Sequence, residues 1–100
     1  IIGAGTWADE TLAVSCTGVG EAYIRTCAAH SLAMHLQQGN GLVESANTVL
    51  DAVAPLGGRG GLIAVTADGQ FVMPFQTRLM YRGVWDNGSI KVGIGPQLEQ

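Results

Sequence analysis

The hydrophobic period of the chain changes near Gly61, and this change limits the folds that are open to it. From Glu21 to Val53, apolar residues recur at the three- and four-residue spacing of helices. After Gly61 they alternate at the two-residue spacing of strands, and one further β-type run, residues 13–17, precedes the helical part. The order strand, helices, strands indicates an α+β fold, with two helices on one face of an antiparallel sheet.

Glycine and proline mark where each predicted element ends. The first helix is predicted to begin at Glu21 and to run for about four turns, with helical spacing from Ile24 to His35, and Gly39-Asn40-Gly41 ends it. Cys27 lies on its apolar face, so we expect this side chain to pack in the core. The second helix runs from Leu42 to Val53 and ends before Pro55.

The last third of the chain predicts two antiparallel hairpins. Each has an Asp-Gly or Asp-Asn-Gly turn, which is the strongest short signal for such a connection. The strands are predicted at residues 62–66 with 70–75, and at 80–85 with 89–94. Gly95-Pro96 then leads into a polar tail.

The composition of the 100-residue chain is that of an ordered and largely buried protein. Hydrophobic residues make up 47% and charged residues 13%, with a mean hydropathy of +0.26 and a net charge of −3. Disordered chains lack this apolar content. The basic residues are scattered, so we expect no nucleic-acid partner, and no apolar run reaches the ~20 residues of a membrane span, so we expect no membrane partner.

Two features suggest the setting of the protein. Ile1 stands where a start methionine is expected, which predicts that the beginning is absent or removed. Cys16 and Cys27 are the only cysteines of the sequence, and two thiols in so apolar a chain favour a reducing, cytoplasmic location.

Two chemical motifs carry little weight. Residues 3–8 match a G-x-G-x-x-A dinucleotide fingerprint, but no clear strand precedes it and no good helix follows, so a plain turn is favoured. Cys16 with His30 or His35 could form a thiolate and base. The five-residue spacing of the two histidines points them to different helix faces, so we expect core-edge packing or solvent exposure for each, no metal site and no cofactor.

The segment Thr17-Gly18-Val19-Gly20 has the most chemical content. A strand that ends in Thr-Gly-x-Gly before a helix presents a hydroxyl and unpaired backbone N–H groups, which can hold an oxyanion or a carboxylate. The alternative is a glycine turn in which Thr17 caps the helix. The pattern leaves both open.

An ordered set of motifs resembles the plant-type L-asparaginase/isoaspartyl peptidase family. It comprises Ile2-Gly3-Ala4-Gly5-Thr6-Trp7-Ala8, Ser15-Cys16-Thr17-Gly18-Val19-Gly20-Glu21, the glycine-rich run 56–65, and Pro74-Phe75-Gln76-Thr77 with Met80-Tyr81-Arg82. The resemblance implies the N-terminal-nucleophile hydrolase fold, a four-layer αββα sandwich made from α and β subunits. Residues 1–100 would be the C-terminal part of the β subunit, a single partial domain.

The resemblance also implies a function. A threonine nucleophile would cleave L-asparagine and β-aspartyl dipeptides, with Thr17 and Gly18 stabilising the oxyanion. Thr17, Gly18, Val19 and Gly20 would bind the substrate. The nucleophile is expected upstream of Ile1. The partners would therefore be the α subunit and the N-terminal part of the β subunit, in a dimer of αβ units. A non-catalytic family member, acting as a binding or scaffold module, is the alternative.

Overall fold

The computed structural model describes residues 1–96, in an α+β arrangement that confirms the predicted class. Three helices and six strands occur in that part. The helices are α1 (Gly20–Thr26), α2 (Ala28–Gln37) and α3 (Leu42–Val53), the last continued by a 3-10 turn, Ala54–Leu56. The strands are β1 (Thr6–Ala8), β2 (Leu12–Gly18), β3 (Gly60–Thr66), β4 (Phe71–Val72), β5 (Arg82–Asp86) and β6 (Ser89–Gly93). The predicted polar tail lies outside the described residues, apart from its start at Gly95-Pro96.

The first four strands form one antiparallel sheet in the order β1-β2-β3-β4. Its centre is the β2–β3 pair, in which Val14 lies opposite Ala64 and Ser15 lies opposite Ile63. Because residues directly opposite one another share a face, the first pair points to one side and the second pair to the other. The two faces therefore have different surroundings.

One face of the sheet carries all three helices. Leu12, Val14, Leu62 and Ala64 are buried there and pack in one core with Leu32 of α2 and residues of the other helices. The prediction of helices on one face is confirmed, but there are three of them. No helix in the described residues is long and apolar enough to cross a membrane.

The extra helix arises because the predicted first helix is broken at Cys27. This residue has φ 49° and ψ 52°, the left-handed conformation, and its N–H donates to the carbonyl of Ile24. The expectation that Cys27 packs in the core is wrong, since its side chain is exposed. A residue that ends one helix and starts the next cannot lie on a continuous apolar face.

Both predicted hairpins are present; β3 begins two residues earlier than predicted, whereas the other three strands are shorter than predicted. β3 pairs with β4, with Ala64 opposite Val72 and Val65 opposite Phe71. β5 pairs with β6 as a separate two-stranded sheet. β5 lies across a cleft of about 600 Å³ from the helix-free face of the first sheet. The cleft is lined by Ser15, Ile63, Val65, Phe71 and Trp85, among others.

The turn predicted near the start of the chain is also present, and it is followed by a strand rather than a helix. Gly3 has φ +94°, and its N–H donates to the Thr6 carbonyl. β1 then pairs with β2, with Thr6 opposite Ser15. A dinucleotide fingerprint needs a helix N-terminus after its glycines, so this segment is not one.

Candidate functional site

The end of β2 and the start of α1 form the corner that the sequence singles out. Thr17 and Gly18 end β2, and α1 begins at Gly20. The N-cap residue of α1 is Val19, and no side chain caps the helix, so the alternative that Thr17 is a cap is wrong. Thr17 is exposed, and its hydroxyl makes no hydrogen bond within residues 1–96. It shares the helix-free sheet face with Ser15, two residues earlier.

Two glycines allow the strands to approach closely at this corner. Gly18 lies opposite Gly60, and a Cβ atom on Gly18 would lie 2.2 Å from the Arg59 carbonyl oxygen. A Cβ atom on Gly60 would lie 1.9 Å from the carbonyl oxygen of Thr17. Around Gly20, by contrast, a Cβ atom would meet nothing within 4 Å. The first two glycines are needed for the fold, whereas Gly20 leaves open space beside the main chain.

The main chain of Val19 is already engaged. Its N–H donates to the Arg59 carbonyl at 3.1 Å, and its carbonyl accepts from the Ala22 N–H, also at 3.1 Å. The side chain of Val19 is 45% exposed. Of the four predicted substrate-binding residues, Val19 therefore offers a ligand mainly its side chain.

A cavity of about 130 Å³ lies beside the corner. Its walls combine the corner, the first turn of the chain and one side of α1. The lining residues are Ile1, Ala4, Gly5, Cys16, Thr17, Gly18, Gly20, Tyr23 and Ile24. The structure thus brings Thr17, Gly18 and Gly20 to one small cavity, large enough for about four waters at ~30 Å³ each.

Cys16 and Tyr23 line this cavity from the helix side. Burial raises the pKa of the Cys16 thiol to about 11. Burial, and secondarily the neighbouring Cys16, raises the pKa of Tyr23 to about 12. Both groups therefore stay protonated at neutral pH, and a thiol in this state is a poor nucleophile. The hypothesis that Cys16 acts as a thiolate nucleophile with a histidine base is therefore not supported.

His30 and His35 make contacts within the fold, by ring packing or through backbone hydrogen bonds. The His30 ring packs edge-on against Trp7, with 4.8 Å between ring centroids, and its backbone N–H donates to Gly3. The His35 carbonyl accepts hydrogen bonds from both the backbone and the side chain of Asn40. Among residues 1–96, no three His, Cys, Asp or Glu side chains are grouped so as to hold a metal ion.

The loop that contains Pro74 and Gln76 contacts the start of β3. The sequence did not predict that this loop would fix the position of β3. The Gln76 N–H donates to the Gly60 carbonyl at 2.7 Å, and the Leu62 N–H donates to the Pro74 carbonyl at 3.0 Å. The Gln76 side chain donates to the Leu50 carbonyl of α3 at 2.9 Å. The loop thus fixes β3 at the position where it meets Thr17 and Gly18. The only sequence signal was the glycine pair at the start of β3, since glycine within a strand often marks a close approach.

Comparison with known families agrees with the resemblance seen in the motifs. The model of the asparaginase family matches residues 1–94, nearly the whole chain. The chain is a member of this family. The match includes β2, the corner and β3, so every residue that lines the candidate site falls in the shared region.

Individual family members are similar over most of the chain. The isoaspartyl peptidase of Salmonella typhimurium is 42% identical over 85 residues, which are 82% of this chain and 27% of the relative. The isoaspartyl peptidase/L-asparaginase of Mus musculus is 38% identical over 95 residues, 93% of this chain and 29% of the relative. The chain therefore spans about a quarter of the length of the relatives it matches.

Proposed function

We propose that this chain is part of a hydrolase that cleaves the side-chain amide of L-asparagine and the β-aspartyl bond of isoaspartyl dipeptides. The observation that carries the proposal is the family match over residues 1–94, together with relatives named for these two activities. The exposed hydroxyl of Thr17, which makes no hydrogen bond within residues 1–96, supports it independently.

In the proposed reaction the nucleophile is an N-terminal threonine from another part of the protein. Its hydroxyl oxygen attacks the carbonyl carbon, and the α-amino group of that threonine takes the proton. The C–N bond breaks, ammonia or an amino acid leaves with a proton, and an ester to the threonine remains. Water hydrolyses the ester and releases aspartate.

Residues 17–20 would stabilise the charge that develops during both steps. The Thr17 hydroxyl and the Gly18 N–H are proposed to donate to the oxyanion, and the main chain at Gly18 and Gly20 to hold the ends of the substrate. The open space beside Gly20 supports this assignment, since a substrate can reach the backbone there.

We also propose that the helix-free sheet face is covered by the rest of the protein. Ile63, Val65 and Phe71 are between 41% and 49% exposed on or beside it, and Trp85 of β5 is 72% exposed. Apolar side chains in such a contiguous area mark an interaction surface. A second sheet that extends the β5–β6 pair would give the four-layer sandwich. The partners would be the α subunit and the N-terminal part of the β subunit, and the assembly would contain two αβ units.

The proposed role of Thr17 is tested by Thr17→Val in the complete protein. Valine keeps the shape but removes the hydroxyl, and loss of one oxyanion donor typically lowers kcat about 10²–10³-fold. Thr17→Ser should retain most of the activity, and Thr6→Val, at an exposed position on the same sheet face, is the matched control. Melting temperatures of all variants are compared in parallel, so that a loss of stability at this sheet face is separated from a loss of catalysis.

The outcome separates the proposal from a non-catalytic role. Unchanged turnover in Thr17→Val would contradict the oxyanion assignment. If the complete wild-type protein hydrolyses neither asparagine nor a β-aspartyl dipeptide, and mass spectrometry finds no free N-terminal threonine, the enzyme proposal itself fails and the chain belongs to a binding or scaffold member.

A further inference from the structure

Arg59 lies at the corner with a fixed main chain and a free side chain. Its carbonyl accepts a hydrogen bond from the Val19 N–H at 3.1 Å. The glycines on both sides of it are buried, and the Gly58 N–H donates to the Val53 carbonyl, also at 3.1 Å. The Arg59 side chain itself is exposed, and its guanidinium forms no hydrogen bond or ion pair within residues 1–96. The fold thus holds the attachment point of this positive charge and leaves the charge available to a ligand.

The pairing of β2 with β3 places Arg59 close to Thr17. Thr17 lies opposite Gly61, and the hydrogen bond from Val19 to Arg59 continues the pairing one residue beyond both strands. Side chains alternate between the two faces along an extended chain. Arg59, two residues before Gly61, therefore belongs to the same helix-free face as Thr17. Cross-strand residues in this diagonal relation lie ~7–8 Å apart, a distance that a long side chain can span.

The two substrates of the proposed function differ in charge at this place. In a β-aspartyl dipeptide the leaving residue carries its own α-carboxylate, separated from the scissile carbonyl only by the nitrogen and the α-carbon of that residue. L-Asparagine releases ammonia and has no such group. A guanidinium suits a carboxylate because its planar array of donors can bind both oxygens at once. A free arginine beside the oxyanion corner therefore favours the dipeptide.

We propose that Arg59 is a specificity-determining residue, whose guanidinium binds the α-carboxylate of the leaving residue of β-aspartyl dipeptides. The inference rests on the proposed function, because the Thr17 hydroxyl defines where the scissile carbonyl lies. The main chain at Gly18 and Gly20 is assigned to the aspartyl part of the substrate, so Arg59 acts on the leaving residue alone. The preferred substrate class is then β-aspartyl dipeptides with a free C-terminal carboxylate.

The test compares β-aspartyl-leucine with its C-terminal carboxamide on the complete protein. The carboxamide keeps the shape of the leaving residue and removes its charge. In the wild type, kcat/KM should be higher for the free acid. In Arg59→Gln, the ratio of the two kcat/KM values should fall about tenfold or more, as expected for a lost hydrogen bond between charged groups. Arg59→Lys keeps the charge without the planar fork and should retain part of the preference.

Arg25→Gln is the matched control. Arg25 is also an exposed arginine, but it lies in the last turn of α1, and its replacement changes the net charge by the same amount. The ratio in this variant should equal that of the wild type. Because both substrates meet the same enzyme preparation, a loss of stability or of active protein cancels in the ratio.

The other outcomes decide against the inference. An unchanged ratio in Arg59→Gln overturns it, and an equal fall in Arg25→Gln overturns it as well, since that result shows a long-range effect of net charge. If Arg59→Gln does not fold, the wild type decides: a preference for the free acid supports the inference, and equal kcat/KM values overturn it. A wild type that hydrolyses its substrates with a ratio unaffected by Arg59→Gln refutes this inference alone, whereas a wild type that hydrolyses neither asparagine nor either dipeptide refutes the proposed function.

Discussion

Gly60→Ala should damage the corner by forcing β2 and β3 apart. The added Cβ atom would lie 1.9 Å from the Thr17 carbonyl oxygen and 2.7 Å from the Gly18 Cα, whereas Cβ atoms essentially never come within 3.0 Å of another atom. Both obstacles are backbone atoms, so no side chain can rotate away. The strands must separate by about 1 Å at this point. The separation weakens the backbone hydrogen bonds between β2 and β3 where Thr17 pairs with Gly61 and Gly18 pairs with Gly60.

The expected loss of stability follows from these contacts. Overpacking costs about 1–3 kcal/mol, and two weakened backbone hydrogen bonds add about 1 kcal/mol each, so the total is about 3–5 kcal/mol. At about 2–4 °C per kcal/mol, the factor for proteins of more than about 150 residues, the melting temperature should fall by about 6–20 °C. Thermal unfolding of the complete protein, followed by circular dichroism, measures the shift.

Gly20→Ala is the matched control for this prediction. Its Cβ atom would enter open space at the first residue of α1, where alanine favours the helix by up to about 1 kcal/mol. Its melting temperature should equal or exceed that of the wild type. If Gly60→Ala melts within about 2 °C of the wild type, the close approach of the strands at this corner is refuted.

Two further predictions concern single side chains. Cys27 is exposed and Cys16 is partly buried with a pKa of about 11, so iodoacetamide at pH 8 should alkylate Cys27 at least tenfold faster, as peptide mass spectrometry would measure; equal rates would contradict the placement of both thiols. The carboxylate of Asp9 accepts hydrogen bonds from the Thr11 backbone, the Trp7 side chain and the Leu12 backbone, which lower its pKa from 3.8 to about 2. Because the folded pKa is depressed, its stabilisation is complete above about pH 4 and is lost as the pH falls towards 2. The melting-temperature difference between wild type and Asp9→Ala should therefore shrink over that interval, and a constant difference would refute the assignment.

The elements that the sequence predicted well are those with local causes. The second helix was predicted within its observed bounds, Leu42–Val53, because both its apolar spacing and its glycine and proline boundaries are local signals. The β3–β4 and β5–β6 hairpins followed from Asp-Gly and Asn-Gly turns, and Gly69 and Gly88 do have positive φ. The Thr17–Gly20 corner was found in the same way, as a strand end meeting a helix start.

The features that sequence reasoning missed depend on contacts between distant parts of the chain. The close approach of Gly18 and Gly60 joins two glycines that lie on either side of all three helices. From the sequence, Tyr23 was only one residue of the first predicted helix. Its place in a cavity wall depends on how α1 packs on β2 and on the first turn of the chain.

The break at Cys27 has such a distant cause, and it bears on the site. Left-handed residues between helices are usually glycine or asparagine, so the sequence offered no local signal at a cysteine. What stabilises the new start of α2 is the first turn of the chain: the N–H groups of Ala29 and His30 donate to the carbonyls of Ala4 and Gly3 at 3.0 and 2.9 Å. These N–H groups would be unpaired at a free helix start. Since Ala4 also lines the cavity, the break that separates α1 from α2 is what lets α2 hold that wall in place.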